Sequence, residues 1–197
     1  MQVTECPQCG APASPSVRAC GYCKAEFFIT SVAYLGKLDQ NGVGKYLKHY
    51  KALAQQDQGS AEAHLGLGIT YLHLGMWPLA IKCFEKVIDL APEVPQSYFY
   101  WALANIGGRR LMTLPLGDVR QIETYINTAV QLSPDLTTAK LLLVLLKEDY
   151  FEGNGMRVNP PSATDLRADI QGKEVNETEL QMMRRCVRVD EACVFSA

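Results

Sequence analysis

Two closely spaced cysteine pairs stand near the start of the 197-residue chain. Cys6 and Cys9 form the first pair, Cys20 and Cys23 form the second, and ten residues separate the two pairs. A Cys-x-x-Cys turn brings two sulfurs to the same side of a tight loop, and structural Zn²⁺ is held by four such ligands in a tetrahedron. The spacing therefore predicts one structural Zn²⁺ bound by Cys6, Cys9, Cys20 and Cys23. A redox-active dithiol, and a disulfide or inert set of cysteines, are the alternatives that the spacing leaves open.

The residues around these cysteines resemble a known family. Gly10 follows the first pair and Gly21 lies inside the second, where a tight turn is expected to need the backbone freedom of glycine. With its Cys-Pro-x-Cys-Gly turn, the segment of about residues 4–28 resembles the zinc ribbon family, which implies two knuckles and a short hairpin. Because four thiolates leave no open position for water, the resemblance implies a structural and not a catalytic metal site.

The charge of this segment gives little support to nucleic-acid contact. Its charged residues cancel one another: Glu5, Arg18, Lys24 and Glu26. Its aromatic residues are expected to pack the ribbon onto the chain that follows: Tyr22, Phe27 and Phe28. A ribbon that reads nucleic acid is expected to carry more Lys and Arg beside an exposed aromatic ring.

A helical repeat pattern occupies the middle of the chain. The residues that define it are Leu67, Gly68, Tyr71, Ala80, Phe84 and Pro92. Their spacing resembles the tetratricopeptide repeat, with His64 standing where the family often has Trp. The resemblance implies two antiparallel helices that cross closely at Gly68 and Ala80. The predicted fold class is mostly α, with TPR-like antiparallel helical-hairpin repeats (an α-solenoid) preceded by a small four-cysteine zinc ribbon.

More degenerate units flank this repeat. We predict an upstream helix over 44–56, a helix from Pro95 to about Ile106, a helix capped by Asp118, and a first helix over 137–151. Three parts follow from this pattern: a zinc ribbon at 1–30, a TPR-like helical repeat domain at 31–155, and a linker with a C-terminal helix at 156–197.

The family register places apolar residues of the first helices along a groove. The predicted partner-binding residues are Leu65, Ile69, Leu72, Phe99, Leu103 and Ile106. An exposed apolar surface of that size normally has an occupant, so the partner is expected to be a peptide or helix of another protein. The alternative, that these residues are core, stays open at this stage.

The C-terminal segment reads as an amphipathic helix. Asn176 can cap it and Glu179 can complete a capping box. Its apolar residues are Leu180, Met182, Met183, Val187, Val194 and Phe195. We expect it to pack on the repeats and cap a third unit that lacks a second helix; occupation of the groove is the alternative. Cys186 and Cys193 have no paired spacing, and their roles are left open.

Composition excludes several function classes. Lys and Arg number 19 against 21 Asp and Glu, so bulk charge does not favour binding to nucleic acid or to an anionic membrane. No apolar run approaches the length of a membrane span, and we expect a cytoplasmic protein. His49, His64 and His73 lack a nucleophile or an acidic partner at a recognisable spacing, so no enzyme is predicted. The sequence favours a non-catalytic adaptor or scaffold, with a nucleic-acid-associated regulator as the alternative.

Overall fold

The structure is a computed structural model that describes residues 5–13 and 17–188, and these residues are mainly α-helical. The elements in chain order are α1 (Val32–Leu35), α2 (Gln40–Gln56), α3 (Ala61–His73), α4 (Trp77–Leu90), α5 (Pro95–Ile106), β1 (Arg109–Arg110), a 3₁₀ turn (Leu111–Thr113), α6 (Leu116–Leu132), α7 (Thr137–Leu145), a π-helical segment (Leu146–Glu152), α8 (Ala163–Ile170), α9 (Glu177–Cys186) and β2 (Val187–Arg188). The prediction of a mostly α fold is confirmed. No helix in the described part of the chain is both long enough and apolar enough to cross a membrane.

The chain divides into two compact units, residues 1–92 and 93–197. The division falls inside the segment predicted as one repeat domain at 31–155, so it differs from the three-part organisation expected from the sequence. Each unit has its own helical hairpins and its own buried residues.

The first unit contains the cysteine-rich segment and α1 to α4. The carboxylate of Asp39 caps α2 by accepting a hydrogen bond from the Gly42 backbone N–H at 2.7 Å. The hydroxyl of Ser60 caps α3 in the same way. Gly75, two residues after the last residue of α3, has φ +72°, the left-handed backbone conformation in which helices commonly end. α3 then packs against both α2 and α4.

Two glycines on α3 allow these neighbouring helices to approach. A Cβ atom on Gly66 would lie 2.3 Å from Cζ of Tyr50 in α2, and one on Gly68 would lie 2.7 Å from Cε1 of Phe84 in α4. Ala80 of α4 is also fully buried. The predicted close crossing at positions 68 and 80 is therefore confirmed, and Gly66 has a similar role that the repeat pattern did not predict.

The second unit contains two helical hairpins, α5 with α6 and α7 with α8. α5 has the predicted bounds, but α6 begins at Leu116 after Pro115, so the expected cap at Asp118 is wrong. The prediction that the third hairpin lacks a second helix is also wrong, because α8 packs on α7. Ser162 and Asp165 form a reciprocal capping box that starts α8 inside the segment predicted as a linker.

The predicted helix over 137–151 changes its geometry partway. It is α-helical to Leu145 and π-helical from Leu146 to Glu152. Lys147 of this segment is fully buried, with Nζ 3.2 Å from Oε1 of Glu123 and donating to the Asn159 carbonyl at 2.9 Å. The ammonium group is thus paired with a carboxylate in the interior, as burial of a charge requires.

Candidate metal centre and α9-binding surface

The two cysteine turns have the same backbone geometry. In the first, the Cys6 N–H donates to the Ala11 carbonyl at 2.8 Å and the Gly10 N–H donates to the Cys6 carbonyl at 2.9 Å. In the second, the Cys20 N–H donates to the Ala25 carbonyl at 2.8 Å, and the N–H of residue 24 donates to the Cys20 carbonyl at 3.0 Å. The two turns are therefore local repeats of one knuckle.

Each knuckle places one residue in the left-handed backbone region. That residue is Gly10 in the first knuckle, with φ +71°, and Lys24 in the second, with φ 61°. The expectation that Gly21 meets this need in the second knuckle is wrong, because the bend occurs three residues later. A side chain in this region is strained, and Lys24 Nζ partly anchors the turn by donating to the Gly21 carbonyl at 3.0 Å.

The knuckles bring the four predicted ligand atoms together. All four Sγ atoms lie within 4.8 Å of one another, with Cys6 and Cys23 at 3.5 Å and Cys9 and Cys20 at 3.7 Å. Hydrogen bonds from the backbone of Cys23 lower the pKa of the Cys20 thiol to about 6, whereas burial raises the pKa of the Cys6 thiol to about 12. This arrangement could hold a metal ion, and it is the only such cluster of His, Cys, Asp or Glu within residues 5–13 and 17–188.

The cysteine module is attached to α2 by tyrosine hydroxyls. Tyr50 Oη donates to the Phe27 carbonyl at 3.0 Å and accepts from the Ile29 N–H at 2.7 Å. Tyr46 Oη donates to the Glu26 carbonyl. Both tyrosine side chains are fully buried, so the module and α2 share a packed interface.

The aromatic residues of the module differ in their burial. Phe27 is 1% exposed and belongs to the small core formed with Cys6, Cys20 and Ala25. Tyr22 is 77% exposed, so the expectation that it packs the ribbon onto the following chain is wrong. Tyr22 lies within the tight turn between Cys20 and Cys23, and that turn directs the ring into solvent.

An open groove of about 740 Å³ lies between the first knuckle and α2. Lys45, Lys48 and His49 contribute its basic side chains, and Lys45 Nζ donates to the Gln8 carbonyl at 2.7 Å. His49 Nε2 is buried without a hydrogen-bond partner within the described residues, and burial lowers the pKa of this imidazole.

The six predicted partner-binding residues do not form an exposed groove. Leu65 is 8% exposed, and the other five are fully buried: Ile69, Leu72, Phe99, Leu103 and Ile106. The expectation that these side chains are exposed and free to contact a partner is wrong. The alternative, that they are core residues, fits their burial because large apolar side chains lose free energy when left in water.

In the second unit, α9 covers part of α5 and α7. The Asn176 side chain caps α9 as predicted, accepting from the N–H groups of Thr178 and Glu179 at 3.1 Å. The Glu179 carboxylate does not complete the predicted capping box. It accepts instead from Tyr100 Oη on α5 at 3.1 Å and from Thr138 Oγ1 on α7 at 2.7 Å. We call the faces of α5 and α7 that α9 covers, including Tyr100 and Thr138, the α9-binding surface.

Sequence reasoning missed the roles of Tyr100 and Thr138. These residues lie 79 and 41 positions from Glu179, and no local spacing links them. The expectation that the C-terminal helix caps a third unit without a second helix is wrong, because α8 supplies that helix and α9 contacts α5 and α7 instead. Val194, Phe195 and Cys193 lie outside the described residues. Cys186 is buried, and burial raises its pKa to about 12.

Comparison with known proteins agrees with the helical hairpin of the first unit. The sequence profile of the tetratricopeptide repeat family matches residues 61–94, which contain α3 and α4. No curated protein matches the chain. The chain thus combines a tetratricopeptide repeat with a cluster of four cysteines at metal-binding distance.

Proposed function

We propose that the protein is a non-catalytic adaptor that binds a partner protein through its helical repeats and carries one structural Zn²⁺. The observation that supports the adaptor role is the tetratricopeptide repeat at residues 61–94, because such repeats generally mediate protein–protein interaction. Since each repeat buries its apolar faces against neighbouring helices, its exposed surface is available for recognition.

The cysteine geometry supports zinc as the metal. A tetrahedron with Zn–S bonds of about 2.3 Å has sulfur–sulfur edges of about 3.8 Å. Two of the sulfur pairs are 3.5 and 3.7 Å apart and all four sulfurs lie within 4.8 Å of one another, so the four side chains need little movement to reach that geometry. Four thiolates would complete the coordination sphere, which leaves no position for a catalytic water and favours a structural role.

Metal analysis tests this assignment. We expect one zinc per chain in protein purified without chelator, and loss of that zinc in a Cys9→Ser variant. Cys83→Ala is the matched control, because Cys83 is buried in α4 and is not part of the cluster. Clearly less than one zinc per wild-type chain, or equal zinc in the Cys9 and Cys83 variants, would contradict the assignment.

Cross-linking tests the adaptor role. The full chain is added to an extract of its host, and proteins joined through lysine-reactive reagents are mapped to positions on the chain. Lys82 and Lys86 report contact at the tetratricopeptide repeat, Lys173 reports contact beside α9, and Lys24 reports contact at the cysteine module. Reproducible cross-links of one protein to Lys82, Lys86 or Lys173, followed by direct binding of the purified pair, would support the proposal. Cross-links confined to Lys24 would contradict it.

The exposure of Tyr22 supports a second candidate, a regulator that contacts nucleic acid through the cysteine module. An exposed aromatic ring can stack on a base, and Arg18 and Lys24 are exposed in the same module. Fluorescence anisotropy with a labelled single-stranded oligonucleotide tests this function at increasing salt. Salt-dependent binding that Tyr22→Ala weakens would favour the second candidate, whereas no binding at low salt would end it.

A further inference from the structure

The α9-binding surface lies in the second unit and is covered by a helix of the chain itself. We propose that this surface is the partner site of the adaptor, and that the partner is an amphipathic helix whose carboxylate replaces that of Glu179. The inference rests on the proposed function, and it adds the location of the site and the chemistry of the ligand. α9 is then the ligand that the chain itself supplies when no partner is bound.

The polar chemistry of the surface selects a carboxylate. Glu179 is only 7% exposed, yet both of its oxygens accept hydrogen bonds, one from Tyr100 on α5 and one from Thr138 on α7. Hydrogen bonds to a charged group are stronger than those between neutral groups, and a buried donor that loses its acceptor is costly. A competing helix must therefore bring its own carboxylate to the same place.

The apolar chemistry of the surface selects a helix. Leu180, Met183 and Cys186 are buried on α9 next to Glu179, and their three-residue spacing places them along one side of the helix. The opposite positions Arg184 and Arg185 are exposed. The pattern that the surface accepts is thus one acidic residue beside an apolar stripe on a helix of about three turns.

The way in which α9 is attached allows it to leave without unfolding the hairpins. It has ten residues, and an isolated helix of that length is marginal in water. Its backbone approaches α5 and α7 over a shorter length than that of α8 approaches α7, and it is held mainly by its buried side chains: Glu179, Leu180, Met182, Met183 and Cys186. The segment before it, residues 171–176, is largely exposed. After it, as far as residue 188, the chain is held by the two-residue pairing of β2 with β1, by the buried Val187 side chain and by the Gly108 N–H, which donates to the Cys186 carbonyl at 2.8 Å.

A peptide with the sequence of residues 173–188 provides the probe. It is labelled with a fluorophore, and its binding to the metal-loaded full chain is measured by anisotropy for the wild type, for Glu179→Ala and for Glu177→Ala. Glu177 is the matched control because it lies on the exposed face of the same helix. Removal of the Glu179 carboxylate weakens the resident α9, and the free fraction of its surface rises.

We expect the peptide to bind the Glu179→Ala chain at least about tenfold more tightly than it binds either the wild type or the control. A peptide in which Ala replaces Glu179 should lose most of this increase in affinity. Thr138→Val in the chain that binds the peptide should also reduce the increase. Equal binding to the Glu179 and Glu177 variants, or no binding to any chain, would overturn the proposal. The assay contains no partner protein, so such a failure would leave the adaptor function to its own cross-linking test.

Hydrogen exchange on the wild-type chain gives a second test that does not depend on the folding of a variant. If α9 is exchangeable, its amides should exchange at least about tenfold faster than those in the centres of α5 and α7, because it opens without them. Equal protection in the three helices would mean that α9 leaves only on global unfolding, and this result would also overturn the proposal.

Discussion

Replacement of Gly66 by Ala tests how the cysteine module is coupled to the helical repeat. A Cβ atom at this position would lie 2.3, 2.4 and 2.7 Å from three ring atoms of Tyr50, all far inside van der Waals contact. The ring has little freedom to move away. Tyr50 is fully buried, and its hydroxyl is held by the backbone of Phe27 and Ile29 on the cysteine module. The clash at α3 is therefore transmitted to that module.

Opposing effects determine how much Gly66→Ala changes the free energy of unfolding. Ala is favoured over Gly in a helix by about 1 kcal/mol. Overpacking a tight interface costs about 1–3 kcal/mol, and each hydrogen bond lost from Tyr50 costs roughly 1 kcal/mol more. We expect the sum to lower the free energy of unfolding by about 2 kcal/mol. Urea denaturation of the metal-loaded full chain, followed by helical circular dichroism, measures this value.

Gly44→Ala is the matched control for this prediction. Gly44 lies in α2, and a Cβ atom at this position would meet nothing within 4 Å. Only the helix propensity then changes, so the control should gain up to about 1 kcal/mol. Gly66→Ala should also release its metal to a chelator faster than the control does. If the Gly66 variant is as stable as the Gly44 variant, the close contact with Tyr50 does not constrain the fold and the reasoning is refuted.

Three further predictions concern the metal and the buried charges. Chelation of the metal should lower the unfolding temperature of the wild type and leave that of Cys9→Ser unchanged, as differential scanning calorimetry can show; equal shifts in both proteins would count against the metal site. Lys147→Met should cost about 3 kcal/mol in urea unfolding, because the buried Glu123 carboxylate then keeps only the half-exposed Arg120, 3.7 Å away, as a cationic neighbour among the described residues. Adding Glu123→Leu should recover at least half of the loss, and no recovery would mean that the pair is not the cause. Hydrogen bonds from Lys140 and Lys173 hold the pKa of the Asp169 carboxyl below its ordinary value. The Asp169 carboxylate therefore stabilises the fold fully above the unfolded pKa of about 3.9. This stabilisation is lost as the pH falls through the lower pKa of the folded state. The stability difference between the wild type and Asp169→Asn should thus be constant from about pH 5 to pH 7 and shrink below about pH 4, and a difference that grows in acid would contradict this assignment.

Features that depend on residues close together in the sequence were predictable. The pairs Cys6/Cys9 and Cys20/Cys23 come together because each Cys-x-x-Cys spacing forms its own knuckle. The repeat at 61–94 was predictable because helical periodicity and small crossing residues such as Gly68 are local signals. α8 escaped prediction because it has eight residues, of which three are buried, and this is too short a pattern to reveal a helix.

The sequence by itself determined the cysteine cluster, the repeat and the starts of α5 and α9, since these depend on interactions within a few residues. Only the tertiary structure decided which side chains are available at the surface. It buried the six residues of the predicted groove, exposed Tyr22, and turned Glu179 from a helix-capping residue into an acceptor for hydroxyls 79 and 41 positions away. A carboxylate can satisfy either a nearby backbone N–H or a distant hydroxyl. The choice falls to the distant partners here because packing α9 on α5 and α7 removes water from all three groups at once, and their hydrogen bonds must then be made with one another.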